Sequence, residues 1–224
     1  MASLAIIIPT LNEQTCLGET LATLQAARRR GHELIVVDGG SDDRTLSSCR
    51  GLVDQCLLSE RGRAIQMNTG ARATSADTLL FLHADTRPPQ NIDRLIAKAL
   101  AGQPGWGRFD IRLSGRQPLL RLVEGLMNAR SRLSGIATGD QGLFVTRDWF
   151  ERVGGYPVIA LMEDIMLSKN LKRLARPHCL SARLVTSSRR WEQQGVIRTV
   201  IKMWWLRAAF YCGVPARYLA RQYG

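Results

Sequence analysis

Short apolar runs that end on polar residues constrain this chain more than any other feature. Residues 4–8, 34–37 and 79–82 are apolar throughout and rich in β-branched side chains or leucine. Each is too brief for a core helix and lacks polar alternation, the pattern of a strand buried on both faces. Helical patterns separate them. Leu17, Leu21 and Leu24 repeat at helical spacing and lead to Arg28-Arg29-Arg30 and Gly31. The arginines suit the negative helix end and the glycine can terminate it. Ser41 is placed to cap a short helix, with Asp42 and Asp43 in its first turn. A weak strand at 56–58 precedes a helix over 63–72, and Pro88-Pro89 opens another running to about 100. This rhythm predicts an α/β fold, a mostly parallel open sheet with helices on both faces. Ligands in such sheets bind beyond the carboxyl ends of the strands. Residues 9–13, 38–41 and 83–85 are therefore expected on one rim.

The second half is less regular. Residues 106–113 read as a strand, 119–133 as a helix, and 141–146 as a strand followed by a short helix ending at Gly154-Gly155. A helix over 162–174 carries Glu163 and Asp164 in its first turn. No break in composition marks a separate domain. The expected organisation is one domain over 1–192 and a helical extension over 193–224. That end of the chain is distinctive: from 183 onward there are eight Lys/Arg and one acid, Glu192, beside seven aromatic residues from Trp191 to Tyr223. Spacing at Ile197, Ile201, Trp204, Trp205, Ala208 and Tyr211 is helical, with Leu206 and Phe210 on another face. Such a helix packs on the core or lies in a membrane interface, bringing the chain to a lipid-linked acceptor.

Net charge is +12, which suits an anionic partner, whether nucleic acid, a phosphorylated substrate or an acidic membrane. Five cysteines without a C-x-x-C pair argue against a zinc site or a disulfide framework. Reduced thiols, no basic leader and no apolar run of the roughly 18 residues needed to span a bilayer give an expected cytoplasmic location. The basic tail would allow contact with the inner face of an anionic membrane.

Three acidic positions carry the chemistry. Asp85 closes an apolar strand, where a carboxylate can hold Mg²⁺ or Mn²⁺ together with substrate phosphates. Asp38 ends another strand before Gly39-Gly40, glycines that let a ligand approach the backbone. Glu163-Asp164 either complements its helix dipole or supplies a general base. Arg63 can meet a diphosphate, His83 a ribose, and Arg189-Arg190-Trp191 pairs guanidiniums with a large ring.

In this order these segments resemble family 2 glycosyltransferases, which have the GT-A fold. Ile6 to Glu13 is similar to that family's first strand and nucleotide loop, and Val36 to Thr45 to its second motif. Asn68-Thr69-Gly70-Ala71 matches the helix before the metal strand. Leu80 to Asp85 falls at the D-x-D position, Gly139 to Val145 with Val153 to Tyr156 at the acceptor-side strand, and Met162 to Ile165 at the E-D motif. The resemblance spans residues 4–191 and is nearest to a small branch labelled radical-SAM/selenodomain-associated transferases. It implies an inverting, metal-dependent transfer of a sugar from a nucleoside diphosphate sugar to an acceptor hydroxyl. It implies nucleotide-sugar contacts from Pro9, Thr10, Leu11, Glu13, Asp38, Gly39, Arg63, Asn68, His83 and Ala84. The metal, Mn²⁺ or Mg²⁺, falls to Asp85, the acceptor or diphosphate side to Asp140, Gln141, Arg190 and Trp191, and the base to Asp164 beside Glu163.

The chain departs from that pattern twice. His83 stands where D-x-D has its first carboxylate. Ser187 stands where the processive motif Q-x-x-R-W has glutamine, although Arg190-Trp191 follows. One sugar per encounter is expected, without polymer synthesis. Competing readings are weaker. A sugar-nucleotide nucleotidyltransferase wants glycines in its first loop, which 9–13 lacks. A nucleic-acid or membrane-surface module would explain the tail but leave the acidic rim unexplained, and no nucleic-acid motif appears.

Overall fold

The computed structural model describes residues 3–223. Met1, Ala2 and Gly224, at the far ends of the stretches read for a leader and a basic tail, lie outside it. Eight strands form one sheet: β1 (Leu4–Thr10), β2 (Glu33–Asp38), β3 (Gln55–Leu58), β4 (Thr78–Phe81), β5 (Thr86–Arg87), β6 (Trp106–Leu113), β7 (Leu143–Thr146) and β8 (His178–Thr186). Their spatial order is β3-β2-β1-β4-β7-β6-β8-β5. β1 to β4 are parallel to their neighbours among themselves, β7 runs antiparallel to both β4 and β6, and β8 is parallel to β6. The sheet is mixed but mostly parallel, as expected.

Helices cover both faces: α1 (Leu17–Arg28), α2 (Arg63–Arg72), α3 (Ile92–Leu100), α4 (Pro118–Ser134), α5 (Arg147–Arg152), α6 (Glu163–Lys172), α7 (Arg189–Gln194), α8 (Val196–Tyr211) and α9 (Ala216–Tyr223). β1 shows why. Leu4, Ile6 and Ile8 join the core shared with Leu17, Leu21 and Leu24 of α1, whereas Ala5 and Ile7 point into the core shared with Ala64 and Met67 of α2. Side chains alternate across a strand, so an all-apolar run needs cover on two sides. Gly70 lets α2 lie close to the sheet: a Cβ there would come 2.5 Å from Ile7 Cγ2.

Several boundaries differ from the expectation. Residues 41–45 form bends and turns, and the short helix is a 3₁₀ turn at Leu46–Cys49. Ser41 does not cap it, because its Oγ bonds the Asp38 carboxylate and accepts from Asn12 N–H. The helix after Pro88-Pro89 starts at Ile92, and β7 starts at Leu143, since Gly139–Gln141 is a 3₁₀ turn. β8 was not anticipated, and the helical extension expected over 193–224 divides into α8 and α9.

The antiparallel β7 matters for the site. β1, β2 and β4 bring their carboxyl ends to one rim, and β7 brings its amino end there. The residues just before β7, Gly139 to Gln141, thus join the rim that His83 and Asp85 reach from after β4. The tail also bears on the site. Leu206 of α8 and Leu219 of α9 are buried with Ile136, Leu161, Met162 and Ile165, the segment that leads into α6. Among the described residues no helix is long and apolar enough to cross a membrane.

Candidate active site

One cavity of about 840 Å³ gathers Arg63, His83, Asp85, Asp140, Glu163, Asp164, Arg190 and Trp191. The site residues expected from five separated segments therefore line one cavity.

Asp164 sits at the start of α6, where free backbone N–H groups and the helix dipole favour a carboxylate. Its Oδ1 accepts from Ile165 N–H (2.7 Å) and its Oδ2 from Gly139 N–H (2.7 Å). Each oxygen keeps a further lone pair. The residue before this helix turn, Met162, has φ 69°, a left-handed conformation that non-glycine residues seldom adopt and that often marks functional segments. Glu163 points inward and is only 4% exposed. Burial, then the neighbouring Asp164 charge, push its carboxyl above the ordinary range, and Arg63 acts in the opposite sense. The Arg63 guanidinium lies 3.8 Å from Glu163. Partial burial of this side chain, which stays 37% exposed, works against its charge, but Glu163, Tyr223 and Asp164 outweigh that and hold it protonated.

His83 stands across from this pair. A Cβ on Gly139 would come 2.4 Å from His83 Nε2, so the glycine gives the ring its place. Burial, with Arg63 nearby, pulls the His83 pKa down, against the charges of Asp85, Asp140 and Asp164. The ring is neutral at pH 7 and offers one donor and one acceptor. Arg190 stacks on the Tyr223 ring, 3.8 Å from its centroid, and donates to the Tyr223 carbonyl (2.6 Å). Arg63 lies 6.0 Å from the same ring. Tyr223 thus covers the two arginines expected near a diphosphate, a contact that no motif signals.

A divalent cation fits this wall in one particular way. Among the described residues no three His, Cys, Asp or Glu side chains converge as a complete cage. Asp140 Oδ1 is nevertheless buried without a partner, and Asp85 lines the same cavity. One or two carboxylates completed by substrate phosphates are the donor set Mg²⁺ and Mn²⁺ commonly use.

Apart from Arg63 and His83, the residues expected to contact the nucleotide sugar do not line this cavity. Pro9, Leu11, Glu13, Gly39 and Ala84 stand on the β1, β2 and β4 rim beside it. Asp38 is fully buried. Its Oδ1 accepts from Gly40 and Ser41 N–H, and its Oδ2 from the Thr10 and Ser41 hydroxyls. In this geometry Asp38 shapes the loop from inside. Glu13 meets Cys16 Sγ at 3.0 Å and Arg189 at 4.0 Å. Asn68 clasps the segment after α5, its amide exchanging two hydrogen bonds with the Tyr156 backbone (2.8 and 2.9 Å). Gln141 is buried and holds Thr138 through a capping box.

Gln66 was missed. Its Nε2 donates to the carbonyls of Thr10 and Val37, both at 2.8 Å, tying the ends of β1 and β2 together. A glutamine two turns from a strand motif gives no sequence signal, because its partners are backbone atoms.

The family model described as glycosyl transferase family 2 matches residues 5–118. The chain belongs to that family. Solved structures agree on the fold. The chain superposes on S. aureus TarS 1-349 with a TM-score of 0.66 at 18% identity, covering 83% of this chain and 60% of that one. With the mannosyltransferase PcManGT from Pyrobaculum calidifontis, in complex with GDP-Man and Mn²⁺, the TM-score is 0.61 at 23% identity, over 81% and 56%. Glucosyl-3-phosphoglycerate synthase from Mycobacterium tuberculosis, in complex with Mn²⁺, UDP and phosphoglyceric acid, gives 0.62 at 18%, over 96% and 80%. This family 2 chain thus spans 60% of TarS 1-349. No curated protein matches it significantly in sequence.

Proposed function

We propose that this family 2 chain moves one sugar at a time from a nucleoside diphosphate sugar to an acceptor hydroxyl, inverting the anomeric carbon. The observation that carries the reading is the single cavity that holds Asp85, Asp140 and Asp164 together with Arg63 and His83. In one displacement the acceptor oxygen bonds to the anomeric carbon as the bond to the nucleoside diphosphate breaks. The acceptor proton goes to Asp164, whose orientation two backbone N–H groups fix. Arg63 and Arg190 orient the diphosphate. Neutral His83 takes the place of the missing D-x-D carboxylate and can hydrogen-bond ribose or phosphate. Asp85, with Asp140, would hold Mn²⁺ or Mg²⁺, which when bound offsets negative charge on the leaving diphosphate. Thr10 at the end of β1, and Leu11 and Glu13 on the loop after it that Asp38 and Gln66 shape, receive the nucleoside.

Donors of this class are held by solved relatives, UDP-GlcNAc by TarS and GDP-Man by PcManGT. Membership of the small radical-SAM/selenodomain-associated branch rests on the sequence resemblance. So does the division into a catalytic unit over 1–192 and an extension over 193–224. The basic, aromatic tail supports a cytoplasmic protein that touches the anionic inner face of a membrane. Thermal melts against a panel of nucleoside diphosphate sugars, with and without Mn²⁺, test the reading. One donor should raise Tm only when metal is present. A panel in which none does so defeats the proposal. With that donor, Asp164→Asn should keep the stabilisation and lose transfer, and wild-type transfer would remove Asp164 as the base.

A further inference from the structure

The cavity has a second half that the transfer reading does not use. Away from the acidic wall it is apolar, built by α4 and α8, and it contains two more arginines, Arg130 and Arg207. Neither belongs to a motif. Among the described residues, Arg130 Nε and Nη2 and Arg207 Nε are buried with no hydrogen-bond partner. Among the described residues neither guanidinium forms an ion pair, although Arg28, Arg30, Arg108 and Arg132 all do. Burial, then the nearby Arg207 charge, pull the Arg130 pKa down to about 10. Asp140 and Asp164 lie near enough to favour the Arg130 charge, but no acceptor completes these buried N–H groups, whereas an anion in the cavity would.

The walls beside them are oily and open. Leu126 and Leu133 of α4 and Trp204 of α8 line the cavity, yet are 58%, 87% and 68% exposed. Leu122, one turn before Leu126, is also exposed. Apolar side chains exposed this far around a charged pocket mark a binding surface. A small polar anion such as free phosphate would leave them in water, whereas an apolar chain attached to the anion would cover them.

We propose that the α4–α8 half of the cavity binds a phosphate carried on a long apolar chain, with Arg130 and Arg207 on the phosphate and Leu126, Leu133 and Trp204 on the chain. Guanidinium forks match phosphate oxygens, and the exposed leucines lead the chain outward as they would toward a bilayer. This rests on the transferase reading in one respect: the molecule bound here is the sugar acceptor, which carries its hydroxyl on a group beyond the phosphate and presents it to Asp164 in the same cavity. The tail helix α8 then serves as the acceptor wall, beyond any role as a membrane contact.

Calorimetric titration of the full chain with octyl phosphate, inorganic phosphate and octanol tests the site. Octyl phosphate should bind at least tenfold tighter than either of the others. Arg130→Gln and Arg207→Gln should each weaken it by tenfold or more, and Leu126→Ser with Leu133→Ser should weaken octyl phosphate while leaving inorganic phosphate unchanged. Equal affinity for octyl and inorganic phosphate overturns the lipid-borne ligand, as does octanol binding as well as octyl phosphate. Unchanged octyl phosphate affinity in the double arginine variant overturns the site. The wild-type comparison stands without any variant, so a misfolded variant does not protect the proposal. Co-sedimentation with phosphatidylcholine vesicles containing phosphatidic acid should exceed that with phosphatidylcholine alone, and fall in the double arginine variant. Equal sedimentation of wild type and variant counts against a lipid source. The two readings fail separately. Intact metal-dependent donor binding without octyl phosphate preference removes this site alone, and octyl phosphate binding without any donor removes the transferase reading alone.

Discussion

Two glycines on two helices should respond in opposite directions to the same substitution. Gly125 lies in the middle of α4, exposed, and a Cβ there would meet nothing within 4 Å. Gly70 lies in α2, where a Cβ would stand 2.5 Å from Ile7 Cγ2 and 3.1 Å from Val37 Cγ2. Alanine favours a helix interior over glycine by about 1 kcal/mol. At position 125 nothing opposes that gain, so Gly125→Ala should stabilise by about 1 kcal/mol. At position 70 the same gain meets overpacking, which costs about 1–3 kcal/mol in a well-packed core. Ile7 is a β-branched residue on a central strand, with little freedom to turn away. The clash therefore wins, and Gly70→Ala should lose up to about 2 kcal/mol net. For a chain of this size about 1 kcal/mol moves Tm by about 2–4 °C. Scanning calorimetry should then show Gly125→Ala melting a few degrees above wild type and Gly70→Ala a few degrees below. If α2 lifts to relieve the clash, the Gln66 bonds to Thr10 and Val37 lengthen, so amide exchange in residues 38–41 should quicken in Gly70→Ala only. A Gly70→Ala protein that melts above wild type would refute the close packing of α2 on the sheet.

Other expectations follow from single groups. Glu163 has a raised carboxyl pKa, so the folded protein binds that proton more tightly than the unfolded chain. Its contribution to stability is complete below the usual value of 4.5 and fades as pH rises through the folded value. Glu163→Gln should therefore gain stability over wild type between acid and neutral pH in urea melts. The lost pairing with Arg63, a side chain 37% exposed at 3.8 Å, is too screened to cancel that gain, and a gap that narrows toward neutral pH would contradict it. Leu206 is fully buried against the segment before α6, so Leu206→Ala should cost about 2–5 kcal/mol in the same melts. A loss below about 0.5 kcal/mol, the range of surface substitutions, would mean that the tail does not brace the site. Burial, aided by Glu13 at the first and Cys56 at the second, pushes the thiols of Cys16 and Cys49 up to about 12. At pH 8 iodoacetamide should label the exposed Cys56 and Cys212 first by mass spectrometry, and rapid labelling of Cys49 would contradict its burial.

What the sequence made legible follows from how each interaction is encoded. β1, β2 and β4 were visible because both of their faces are buried, leaving no polar residue to blur the run. β8 was hidden because it reads His178-Cys179-Leu180-Ser181-Ala182-Arg183, with little of it buried before Leu184. Its place beside β6 is set by pairing, with a register shift after Phe109. The acidic and basic residues of the cavity could be named one by one, since each follows a strand or opens a helix. That His83, Asp140 and Asp164 face each other depends on β7 running backward, which no local pattern reveals. The Asn68 clasp on the Tyr156 backbone was hidden because its partner lies 88 residues away. Arg130 and Arg207 read as ordinary helix-face charges, since only the packing of α8 against α4 takes them out of water.

The central claim is that the acidic wall holds a nucleoside diphosphate through a metal on Asp85. Its most direct test is calorimetric titration of the nucleoside diphosphate whose sugar gives the metal-dependent melt, into wild type and Asp85→Asn, with and without Mn²⁺. Wild type should bind at least tenfold more tightly with Mn²⁺ than without, and Asp85→Asn should bind equally weakly in both. Tight binding by Asp85→Asn that still requires Mn²⁺ would contradict the claim.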